Sequence, residues 1–256
     1  MAAGGALETL MILAMVGLLV LLRFDAARFG AADFDDEESP GGVRTWLGRA
    51  SWYVFGILLI AAIYFLYPAP LTELHLQMGE PRAMVFIFGV GLALLGMLYA
   101  AAYAWWRFGE VSLPPAHRYP AGIVNALATA FIDEATWRGI LLGLLIVSNW
   151  PIEYAIAFQA VLYALATRLG APGRPRTLLF LSLMVGLVGG WVTLETNGIG
   201  AILLAHVVTR LAIFVATGHA GQVTPSAAFD EQVVEEDSRL GPQGWEVVGD
   251  NGPTTS

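Results

Sequence analysis

Five ionisable side chains lie inside stretches of sequence that are otherwise apolar. Asp133 and Glu134 stand side by side, followed by Arg138; much later His206 is followed by Arg210. A carboxylate or imidazole shielded from water is a candidate general base, and a buried cation or N–H is a candidate anchor for developing negative charge. The spacing matters as much as the residue types. Glu134 and Arg138 are four residues apart, so on a helix they share a face and can pair; His206 and Arg210 repeat that spacing. Asp133 and Trp137 fall on a neighbouring face about 100° away.

The elements that must position these residues are membrane helices. Apolar residues make up 57% of the chain and charged residues 13%, against roughly 45–50% and 25% in an ordinary soluble domain. A hydrocarbon layer about 30 Å thick needs roughly 20 helical residues. Seven stretches approach that length, near 7–22, 50–67, 83–106, 120–148, 150–168, 177–195 and 198–217. The fold class expected is therefore all-α, a polytopic bundle of about seven spans, whose long fourth span is bent or broken. Asp133, Glu134 and His206 fall near mid-span, where each charge is held against about 2.5–3.5 kcal/mol.

Arginine placement tests that count. All 13 basic residues besides histidine are arginine. With seven spans, Arg23, Arg28, Arg44, Arg49, Arg107, Arg118, Arg168, Arg174, Arg176 and Arg239 share one side, Arg82 lies alone on the other, and Arg138 and Arg210 lie within spans. The positive-inside rule then puts the N-terminus outside and the C-terminus in the cytoplasm. The apolar run Leu10–Leu22 lacks the basic start of a signal peptide and reads as a first membrane helix. Two acidic segments, Asp25–Glu38 and Asp230–Asp250, are too polar to pack. The expected division is N-terminal membrane helices over 1–117 with an acidic cytoplasmic loop at 23–49, a core over 118–217, and a disordered acidic cytoplasmic tail over 218–256.

Asp133–Gly139 resembles the signature of the CPBP family (CAAX-protease and bacteriocin-processing intramembrane endopeptidases): two acids, three residues, then Arg-Gly. Glu195-Thr196-Asn197-Gly198, followed by an apolar helix reaching His206, is similar to the last motif of that family. The resemblance covers roughly 118–217. It implies peptide hydrolysis by an activated water, with Asp133 as base, Glu134 and Arg138 as brace, and His206 as the last-motif histidine. Three positions depart from the pattern. Aspartate stands at 133 for glutamate. The middle motif, an aromatic followed after three residues by histidine, is best matched by Tyr163-Ala164-Leu165-Ala166-Thr167, with threonine for the histidine. Arg210 takes the place of the oxyanion-holding asparagine.

Two main functions follow: an intramembrane endopeptidase acting on a peptide or membrane protein, and a non-catalytic scaffold, assembly factor or subunit of a larger membrane complex. A proton-relaying transporter is a third. Asp133, Glu134, Arg138 and Arg210 sum to zero charge, as a buried structural network requires. The absence of cysteine removes disulfides and thiolate ligands. A metal would need His206, Asp133 and Glu134 together, and none is expected; nor is a cofactor or a nucleic-acid partner. His75, His117 and His219 read as surface histidines. Gly139 with Gly143 and Gly186 with Gly190 mark close helix packing. The expected setting is a bacterial cytoplasmic membrane, with the lipid bilayer as the first partner.

Overall fold

The computed structural model describes residues 3–29, 42–108, 111, 113–114, 116–169 and 176–217, all within one compact unit. The acidic run 33–38 and the tail 218–256 lie outside the described residues. Within them the chain is helical, with α1 Ala3–Phe24, α2 Gly42–Leu66, α3 Arg82–Phe108 and α4 Tyr119–Glu134. A π-helical segment, Ala135–Leu141, joins α4 to α5, Leu142–Val147; α6 Ile152–Leu169, α7 Arg176–Glu195 and α8 Gly200–Thr217 complete the bundle. Counting α4, the π segment and α5 as one pass gives seven, at the positions the apolar pattern indicates.

Proline sets most of the boundaries, because it has no N–H to continue a helix and fits only the first turn. Pro68 and Pro70 follow α2, Pro81 precedes α3, Pro120 lies in the first turn of α4, and Pro151 precedes α6. Helices α1, α2, α3 and α6 are long and apolar enough to cross a membrane, while the apolar parts of α7 and α8 are shorter. Exposed Phe86, Ile87, Leu94, Leu95 and Leu98 give α3 a face suited to hydrocarbon. The protein is an integral membrane protein.

Small residues set the closest approaches. Gly89 and Gly96 of α3 lie against Ala201 and Thr209 of α8, Gly122 of α4 against the Phe214 ring, and Gly56 of α2 against Ile132. Gly186 and Gly190 seat α7 on Ala160, Ile156 and Gln159 of α6, as the spacing suggests. Gly139 and Gly143 do something else. Their neighbours are Glu73, Leu74 and Leu76, in the loop between α2 and α3, so this pair admits a loop and not a helix.

That loop is drawn into the bundle. His75, expected at the surface, is buried, and its carbonyl accepts the N–H of Ile199 at 3.2 Å. Gln77 donates its side-chain N–H to the Asn197 carbonyl at 2.7 Å, and Glu80 N–H meets the Thr196 carbonyl at 2.6 Å. These bonds absorb the backbone groups of the α7–α8 turn, where Asn197 has φ +51°. Thr196 Oγ1 closes the turn by donating to the Val192 carbonyl at 2.8 Å. Burial holds the His75 imidazole below its ordinary range, and a hydrogen bond with Asn197 partly opposes that. Nearby, burial together with the bond to Glu73 at 2.7 Å pushes the Tyr67 phenol up to about 12.

Candidate functional site

The π segment begins one residue after Glu134, so the acidic pair sits at the join between two kinds of helix. From α4, Asp133 and Glu134 both point inward, 1% and 0% exposed. Helix α8 brings His206 and Arg210 to them. His206 Nδ1 lies 2.5 Å from Glu134 Oε1, and Arg210 Nη2 donates to Asp133 Oδ2 at 3.3 Å. Arg138 Nη1 reaches the same Glu134 oxygen at 3.3 Å, the pairing expected from the i, i+4 spacing. The first and last motifs therefore meet.

The middle motif meets them through Arg138. Its guanidinium carbon lies 3.9 Å from the Tyr163 ring centroid, a cation–π stack in which Arg is favoured over Lys by its flat shape. Its Nη2 also donates to the Val185 carbonyl at 3.4 Å, tying α7 in. Trp137 is fully buried and packs edge-on against Tyr163, centroids 6.1 Å apart, as core. Thr167, one turn beyond Tyr163, is buried, and its hydroxyl has no partner among the described residues. Trp191, by contrast, is exposed on α7 and packs edge-on with Phe88 of α3.

One member of the cluster was not anticipated. Arg23, placed by residue count among the cytoplasmic loop arginines, is still on α1 and turns inward. Its Nε lies 3.1 Å from Asp133 Oδ1, with both side chains buried. The N–H is not aimed at the oxygen, so the contact is an ion pair without a hydrogen bond. The charge sum changes with it. Three arginines now face two carboxylates, and the neutral total of four residues describes only part of the network. A sequence signal existed: Arg23 directly follows the apolar run, so a few more residues of helix bring it inside.

The hydrogen bonds also fix the state of His206. Arg210 Nε donates to His206 Nε2 at 3.1 Å, and a guanidinium can only donate. Nε2 is therefore the acceptor and the ring proton rides on Nδ1, toward Glu134. Both ring nitrogens are committed. Each Asp133 oxygen faces an arginine. Among the described residues two carboxylate oxygens of the cluster accept no hydrogen bond: Asp133 Oδ1, which has Arg23 beside it as an ion partner, and Glu134 Oε2. Among the described residues no three His, Asp or Glu side chains converge as a metal cage.

These relations fall within a segment with known counterparts. Residues 115–212 match the family described as type II CAAX prenyl endopeptidase Rce1-like. No curated protein matches the chain. The matched stretch holds α4 to α7 and α8 as far as Ala212, hence all three motifs, but not α1, which supplies Arg23. From 115 to 212 this membrane protein is similar to the CAAX-protease, Rce1-like family.

Proposed function

We propose that the protein is a non-hydrolytic CAAX-protease-like membrane protein, in which the family's helical frame serves as a scaffold or partner-binding subunit within the bilayer. One observation carries this reading: both Asp133 oxygens already face a cation, Arg23 or Arg210, and the ring nitrogens of His206 are held between Glu134 and Arg210, although these are the residues that would activate water. A base must be free to accept a proton from a water within hydrogen-bond reach. Threonine at 167 and arginine at 210 point the same way. The division into N-terminal helices, a core over 118–217 and a cytoplasmic tail is kept, with α1 contributing Arg23 to the core.

The test is cleavage in liposomes of prenylated CAAX peptides and of membrane-protein segments, alongside recovery of partners from native membrane. No cleavage is expected, and Asp133→Asn, which keeps the side-chain shape though it lowers stability, should leave partner recovery by the folded protein largely intact. The triple change Asp133→Glu, Thr167→His and Arg210→Asn should gain hydrolysis. Wild-type cleavage abolished by Asp133→Asn would overturn the proposal.

A second reading, intramembrane endopeptidase, is favoured by the unpartnered Glu134 Oε2 beside His206. In it Glu134 takes the proton from water and Arg210 holds the oxyanion. Cleavage lost in Glu134→Gln but retained in Asp133→Asn would select it. Orientation is part of the proposal: N-terminus outside, C-terminus in the cytoplasm of a bacterium. Because the chain lacks cysteine, Met78→Cys and Ser39→Cys report the two sides directly. Labelling of Met78→Cys by an impermeant maleimide on intact cells, with Ser39→Cys silent, is the expected result.

A further inference from the structure

The α2–α3 loop, the start of α3 and the start of α8 enclose a groove of about 520 Å³, within the roughly 300–1,000 Å³ of small-ligand sites. Glu80 and Arg82 are part of its lining. Both are exposed, and among the described residues neither side chain has an ion partner. Val85, Phe86 and Leu204 supply apolar walls. Phe86 is 66% exposed and continues into the lipid-suited face of α3 through Ile87 and Leu94. Arg82 is the first residue of α3, so the two charges lie where the helix leaves the hydrocarbon.

We infer that this groove binds a phospholipid with a primary-ammonium zwitterionic headgroup, phosphatidylethanolamine. The phosphate pairs with the Arg82 guanidinium, a planar donor fork suited to it. The ammonium donates to the Glu80 carboxylate, and the first acyl carbons lie along Val85, Phe86 and Leu204. Charge complementarity selects this occupant. A phosphatidylglycerol headgroup has no cation for Glu80, and the quaternary ammonium of phosphatidylcholine has no N–H to donate. None of the groove's lining residues belongs to the Asp133 cluster, and the inference does not depend on whether that cluster catalyses.

The experiment is native mass spectrometry of the full chain, delipidated in mild detergent and exposed to equimolar phosphatidylethanolamine, phosphatidylcholine and phosphatidylglycerol. The ethanolamine lipid should be retained roughly tenfold over phosphatidylglycerol, the size of one charge-assisted hydrogen bond. Arg82→Gln and Glu80→Gln should each remove most of that preference, while Leu98→Ala on the lipid-facing side of α3 should keep it. Equal retention of the lipids by the wild type, no retained lipid, or an unchanged preference in both charge variants would overturn the inference.

Discussion

Two junctions in this molecule are tied by opposite means. At the Asp133 cluster, long side chains from α1, α4 and α8 reach across to one another, and charge makes the contact. At the α2–α3 loop, side chains are removed so that backbones can touch: Gly143 meets the Glu73 carbonyl, Gly200 the Met78 carbonyl and Gly198 the Gly79 backbone. The first junction depends on every partner remaining present, since a buried charge without its counterion is costly. The second depends on nothing being added. Polar chemistry sits at one, and loop placement is decided at the other.

The contrast breaks first at the charges. Asp133→Leu leaves Arg23 and Arg210 facing no carboxylate on that residue and should lower stability by about 3–5 kcal/mol. Adding Arg23→Met to Asp133→Leu should recover part of the loss, which thermal unfolding in detergent will read; a purely additive loss means the two do not interact. Next comes Gly143→Val, expected to lose about 1–3 kcal/mol by overpacking. Gly91→Ala is its counterpart. Nothing lies within 4 Å of a side chain added there, so helix propensity should raise stability by up to about 1 kcal/mol. Equal losses in these two variants would remove the role assigned to the glycine junction.

The smallest effect is a pH dependence. The folded His75 imidazole sits below its ordinary value, so the unfolded chain takes up the proton first. Its contribution to stability is therefore complete above about pH 6.5 and is lost as pH falls below that toward the folded value. Hydrogen exchange in the 67–81 loop should rise on acidification. His75→Asn should flatten that rise, because asparagine tolerates the φ of +50° found there. A rise of the same size in the variant would assign it to another group.

Charges inside apolar sequence are conspicuous, and the meeting of Glu134 with Arg138 and His206 follows from helical spacing and span counting. Helix limits were readable for a similar reason, since proline and apolar length fix them locally. What escaped depended on contacts between segments far apart in the chain. Arg23 joined the cluster because α1 extends to Phe24. His75 was buried by backbone bonds to the α7–α8 turn, which no side-chain pattern encodes. Gly139 and Gly143 announced close packing correctly as a need, but a glycine pair does not say whether a helix or a loop will fill the space.

The π segment gives the two junctions a shared vulnerability. A π turn takes up more residues than an α turn, so the halves of this pass are rotated relative to one another. Each residue corresponds to about 100° around the axis. Asp133 and Glu134 face α1 and α8 from below it, while Gly139 and Gly143, within and above it, receive the loop. Deleting one residue between 135 and 141 would let the ladder become regular, yet it would throw one half out of phase with its neighbours. Single-residue length changes, harmless in most surface loops, should here uncouple the ion cluster from the loop socket in one step.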